Sequence, residues 1–242
     1  MRAFIRTGLL VGFSSFASFS QAGMIEIEEL GLFAHGDSWA ESVVDMPIGD
    51  PAQSFASQGL SLTYTNGLDL DNIGTVVWTV ENTSGSAIDD FSLFSYLNAD
   101  IDFATNTFFN EHASYVGNTT AQSYEIDEPG YVFGDIFDNL LLGELDNSNA
   151  VPLQTPDDVS FALGFDLGRF EAGEMLQVTV DLSLNNIGGI MHADSDSNFS
   201  YYFNTTVTRS VVTVSEPASF ALFVIGLFAV ARIRWLKHSN MI

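Results

Sequence analysis

Val159-Ser160-Phe161-Ala162-Leu163-Gly164-Phe165-Asp166-Leu167 places a large apolar residue at every second position, and Leu176-Gln177-Val178-Thr179-Val180-Asp181-Leu182-Ser183-Leu184 does so again. A period of two puts one side-chain set on each face of an extended strand, so each stretch reads as a strand with one face in a core. Residues 168–174, Gly-Arg-Phe-Glu-Ala-Gly-Glu, form a loop long enough to join the two strands within a sheet or between sheets. The same alternation recurs over residues 24–28, 60–65 and 76–81, where Val76, Trp78 and Val80 share a face. Asn66-Gly67 supplies turn chemistry after the second of these and residues 82–86 after the third. A last strand runs over about residues 201–214. No stretch of ten or more residues in the middle of the chain has a helical period, and residues 98–158 read as loops with two or three short strands. The expected fold is all-β, an antiparallel β-sandwich, Ig-like or jelly-roll-like, forming one domain over 23–213.

Composition supports a packed domain. Hydrophobic residues make up 46% of the 242-residue chain and aromatic residues 13%, enough to fill one sizeable core. There is no cysteine, which excludes disulfides and thiol chemistry. Charge is distributed unevenly. Of 31 acidic residues only Glu216 lies outside residues 23–214, and of seven basic residues only Arg169 and Arg209 lie inside, so this middle region carries a net charge of −28. Such a surface repels phosphate backbones and anionic lipid, and no nucleic-acid partner is expected.

The N-terminus has the three parts of a signal peptide: Arg2 and Arg6, an apolar small-residue run over 8–19, and Ser20-Gln21-Ala22 with small residues at the two positions a signal peptidase reads. The expected signal peptide is 1–22, cut between Ala22 and Gly23.

Catalytic signatures are missing: there is no G-x-S-x-G elbow, no H-E-x-x-H and no phosphate loop. The expected protein is not an enzyme. His35, His112 and His192 are far apart in sequence and read as loop or surface residues. Two acidic clusters have ligand spacing. Asn98, Asp100 and Asp102 alternate with Ala99, Ile101 and Phe103 on one face of a strand, and Asp194, Asp196 and Asn198 repeat the spacing in a loop-like stretch. Hard oxygen donors of this kind suit Ca²⁺, the candidate ion; no other cofactor is expected. The second cluster is not an EF-hand, because Phe199 stands where that loop needs glycine and Thr205 where it needs a bidentate glutamate. Phe108-Phe109, Tyr115, Tyr131 and Tyr201-Tyr202 are candidates for stacking on a sugar ring, although most of the aromatics must be core.

The C-terminal region, 214–238, has a fixed order. Ser215-Glu216-Pro217-Ala218-Ser219 comes first, then an uncharged apolar run to Ala231, then Arg232, Arg234 and Lys237. A transmembrane helix over 218–236 is expected, with the basic cluster as a stop-transfer signal on the cytoplasmic side. This order resembles the PEP-CTERM sorting signal of Gram-negative bacteria. Glu216-Pro217-Ala218-Ser219 matches the second half of its Pro-Glu-Pro-Ala-Ser pattern, and Ser215 stands in place of the first proline. The resemblance implies an exosortase as processing partner, with Ser215, Glu216 and Pro217 as recognition residues of a substrate. It implies transient residence in the inner membrane and a mature form at the cell surface or outside the cell, associated with exopolysaccharide and biofilm. A carbohydrate- or Ca²⁺-binding module of the same matrix is the alternative, and a secreted hydrolase a third reading.

Overall fold

The computed structural model describes residues 25–36, 39–46, 54–57, 59–101, 109–130, 133–197 and 199–211. The signal peptide with its Ala22–Gly23 junction lies outside them. So do Asp102, Asn198, the segment Ser215, Glu216, Pro217, the apolar run and the basic cluster Arg232, Arg234, Lys237. Among the described residues no helix is long and apolar enough to cross a membrane.

In chain order the elements are β1 (Ile25–Gly36), β2 (Trp39–Met46), β3 (Ser54–Ser57), β4 (Leu60–Leu68), β5 (Gly74–Asn82), β6 (Ile88–Ile101), β7 (Glu111–Gly117), β8 (Ser123–Asp127), α1 (Ile136–Leu142), β9 (Ser160–Phe170), β10 (Glu174–Ser183), β11 (Gly189–Asp194) and β12 (Ser200–Val211). They form two antiparallel sheets, one ordered β2-β1-β6-β9-β8 and the other β3-β4-β5-β10-β12-β11-β7. The chain is therefore all-β in its architecture, as the alternation predicts.

One core fills the space between the sheets. Leu32, Leu93, Leu97, Phe161 and Leu163 enter it from the five-stranded sheet, and Trp78, Val80, Val178, Val180 and Phe203 from the seven-stranded one. Phe161 and Phe203 meet across it with ring centroids 5.2 Å apart. Each such side chain contributes about 1.5–3 kcal/mol by leaving water. The hydroxyls of Ser95 and Thr205, 2.8 Å apart, bridge the sheets inside this core. The predicted faces hold: Val76, Trp78 and Val80 are buried together, as are Leu176, Val178, Val180 and Leu182.

Three expectations need correction. Asn66-Gly67 is not a turn, because β4 continues through it, pairing Asn66 with Val76 and Gly67 with Thr75. The turn lies at residues 69–73, where the Asp69 carboxylate accepts the amides of Asp71 and Ile73. Residues 168–170 belong to β9, so the connection shortens to residues 171–173, and it crosses from one sheet to the other. The weakly patterned region contains a helix. Ile136 and Leu140 of α1 join Phe33, Phe94 and Tyr96 in a second apolar cluster on the outer face of the five-stranded sheet. Seven residues are two turns, too few to stand out as a period.

Candidate cation site and adjoining cleft

The end of β6, the start of β7 and the segment before β9 bring three carboxylates together. Asn98 and Asp100 alternate with the core residues Ala99 and Ile101, so they leave β6 on its other face. Glu111 opens β7. Its carbonyl accepts the Asp157 amide at 2.9 Å, a bridge that seats Asp158 beside it. One carboxylate oxygen from each of Asp100, Glu111 and Asp158 lies within 4.8 Å of the others. Two oxygens bound to one Ca²⁺ at about 2.4 Å can be no more than about 5 Å apart, so the set has the span of a coordination shell.

Asp100 and Glu111 are buried, and Asp158 is half-buried. Carboxylates in that setting need a counter-charge or a proton. Neither arginine of the described residues supplies one to Asp100 or Asp158, and the basic side chain at the trio is His192, which faces Glu111. Arg169 pairs with Asp89 at 2.7 Å and Glu171 at 2.8 Å, and Arg209 with Glu174 at 3.1 Å. Asp100 Oδ2 and Asn98 Oδ1 are buried without a hydrogen-bond partner. Burial, and then the nearby charges of Glu111, Glu28, Asp158 and Glu26, push the Asp100 pKa up to about 7. Burial and the charges of Glu111 and Glu28 push Asp158 up to about 6.

Glu111 is held from both sides. Its Oε1 accepts the Ile101 amide at 2.7 Å, and its Oε2 lies 3.0 Å from His192 Nε2. His192 Nδ1 lies 2.9 Å from the Tyr201 hydroxyl. With a neutral imidazole, Nε2–H donates to the carboxylate and Nδ1 accepts from the tyrosine. Register explains the arrangement: His192 pairs with Tyr201 across β11 and β12, and Glu111 pairs with the neighbouring Asp194 across β7 and β11. This row orients Glu111 towards Asp100 and Asp158.

In the other predicted cluster, Asp194 has a part in the fold. Asp194 Oδ1 accepts the amides of Asp196 at 2.6 Å and Ser197 at 3.3 Å, and the Asn110 side-chain amide at 3.1 Å. That oxygen closes a turn, and the convergence with Asp100 comes from Glu111 and Asp158 instead. A further acidic group, Glu125 with Asp135 and Asp146, has no counterpart of the unpartnered Asp100 oxygen: Glu125 accepts the Asn139 side-chain amide at 3.0 Å and the Asp146 amide at 3.2 Å.

Asp158 also lines a cleft of about 450 Å³ together with Phe109, Glu128, Pro129, Phe133 and Asp157. Phe109 is 69% exposed and Phe133 79%. Of the aromatics proposed for stacking, Phe109 is thus at a cleft, whereas Tyr201 is fully buried and Tyr115 lies flat against Tyr124 with centroids 4.1 Å apart. The histidine expectation is corrected too. His192 is in the core and His112 is 92% buried by its 8% exposure; neither is a surface residue. Glu111, Asp158, His192 and Tyr201 carried no local sequence signal, because their association depends on strand register and on chain segments distant from Asp100.

Fold and site together define an all-β double-sheet domain with a carboxylate trio at one end of its core and a cleft beside it. The chain matches no protein-family model, no curated protein and no solved structure.

Proposed function

We propose that residues 23–213 are a Ca²⁺-binding module of an exported, non-enzymatic protein of the cell surface or extracellular matrix. The observation that carries the cation reading is Asp100: a buried carboxylate with an unpartnered oxygen, facing two more carboxylates, with both arginines of the described residues engaged elsewhere. Ca²⁺ supplies the missing charge and accepts all three oxygens. Calorimetry of the purified chain with CaCl₂ tests this. Binding heat and a raised melting temperature are expected, and a chain that shows neither has no such site.

Export rests on the sequence: the 1–22 leader, and a tail in which Ser215, Glu216 and Pro217 would be read by an exosortase and Arg232, Arg234 and Lys237 would stop transfer. Mass spectrometry of the mature C-terminus, from hosts with and without the exosortase, separates processing from a permanent anchor. A chain ending at Ile242 in both hosts rejects processing. For the finer fold, the nested pairing of β5 with β10 in one sheet and β6 with β9 in the other supports a jelly-roll-like over an Ig-like arrangement.

A second reading has its own observation. Glu128, Asp157 and Asp158 line one cleft, and burial raises both the Asp158 and the Glu128 pKa, the environment of a general acid in glycoside hydrolysis. Turnover of a glycan that is lost in Asp158→Asn would replace the non-enzymatic reading with this one.

A further inference from the structure

We infer that the cleft beside the carboxylate trio binds a neutral sugar, two adjacent ring hydroxyls completing the coordination of the cation. The inference rests on the Ca²⁺ reading above and adds the ligand class. Its starting point is Asp158, which belongs both to the trio and to the cleft wall. Asp100 and Glu111 are buried, whereas Asp158 is half-buried, so the ion's accessible side is the cleft side. Ca²⁺ takes about 6–8 oxygens. One atom from each carboxylate leaves positions open to waters or ligand oxygens, and a vicinal diol offers two neutral hard oxygens at the spacing of one coordination edge.

The cleft suits the rest of a sugar ring. Its volume is about 450 Å³, within the usual range of small-ligand sites, and large enough for one or two pyranose units. The exposed rings of Phe109 and Phe133 offer apolar faces for the C–H side of a pyranose. Glu128 and Asp157 can accept hydrogen bonds from its remaining hydroxyls. These same carboxylates, in a region of net charge −28, oppose an anionic ligand, so uronates and phosphorylated glycans are disfavoured. A basic peptide also suits acidic walls, but it would compete with the cation instead of requiring it.

The experiment is calorimetry on the full chain in detergent, with mannotriose and cellohexaose as neutral probes, a galacturonate trimer as the anionic probe and a lysine pentapeptide as the basic one. In millimolar CaCl₂ a neutral probe is expected to bind, EDTA to abolish the binding, and Phe109→Ala and Phe133→Ala each to weaken it roughly tenfold while leaving the Ca²⁺ heat unchanged. Ca²⁺ heat without binding of either neutral probe overturns this inference alone. Sugar binding that survives EDTA, or a preference for the anionic or lysine probe, overturns it as well. Absence of Ca²⁺ heat removes the reading beneath it.

Discussion

Asp100 has a pKa raised to about 7 and Asp158 to about 6, against about 3.9 for aspartate in an unfolded chain. Between these limits the folded, cation-free protein holds protons that the unfolded chain has released. Its stability is therefore greatest at the acid end of the window and falls as pH rises towards 7. In the proposed site Ca²⁺ would take the place of those protons. Two outcomes are expected. In EDTA the melting temperature declines between pH 5 and 8, and Asp100→Asn makes the decline shallower while removing stabilisation by Ca²⁺. Glu125, raised to about 7 by burial, contributes a slope of its own, so the difference between the two proteins is the measured quantity. Equal slopes would mean that Asp100 is not the group responsible. At pH 6.5, Ca²⁺ binding should also release about one proton, read from the dependence of the binding heat on buffer ionisation enthalpy. A heat independent of buffer would contradict the exchange of protons for Ca²⁺.

Asn82 ends β5 and holds the crossing between the sheets. Its Nδ2 donates to the carbonyls of Ser86 at 2.8 Å and Phe170 at 2.9 Å, and its Oδ1 accepts the Ser84 amide at 3.0 Å and the Ser84 hydroxyl at 2.7 Å. Asn82→Ala leaves the Phe170 carbonyl without this donor in a buried setting and is expected to cost about 1–3 kcal/mol. Urea unfolding should show a lower midpoint at unchanged slope; an unaltered midpoint would mean that water replaces the amide. The residues 82–86 were legible as a turn from composition, and β5, β9 and β10 from their alternation, because each buries one face and wets the other. The long strand β6 was not legible as a whole. The sheet-to-sheet core covers one of its faces and Phe94 and Tyr96 lie under α1 on the other, so the period of two disappears. Strands β7 and β11 escaped for a different reason: Glu111, His112 and His192 are buried polar residues, and a polar residue facing inward cancels the pattern. The candidate cation site was half legible. The strand spacing of Asn98 and Asp100 pointed to one wall, but Glu111 and Asp158 reach it through cross-strand register, which no local pattern carries.

A net charge of −28 over residues 23–214 acts on the compact state as a whole. Like charges held within one domain repel more strongly than in the expanded chain, and salt weakens this within a Debye length of about 8–10 Å at 0.10–0.15 M. The two arginines of this region are both engaged around the β9–β10 connection, with Asp89, Glu171 and Glu174, so they relieve the repulsion locally. Raising NaCl from low to high concentration at pH 8 in EDTA should therefore raise the melting temperature, by an amount on the order of 5 °C. Screening is unspecific, whereas occupancy of the trio is not. CaCl₂ at about a hundred times its dissociation constant adds about 2.7 kcal/mol to a protein that binds it only when folded, beyond what NaCl of equal ionic strength gives. Asp100→Asn should keep the response to NaCl and lose the Ca²⁺ excess, because the substitution removes one charge of many but one ligand of three. Melting curves of both proteins in NaCl and CaCl₂ at matched ionic strength separate the two effects. If the wild type gains no more from CaCl₂ than from NaCl, divalent cations act on this molecule only by screening, and Asp100 and Asp158 are then relieved of charge by protons alone, at the cost in stability towards and above pH 7 that their raised pKa values imply.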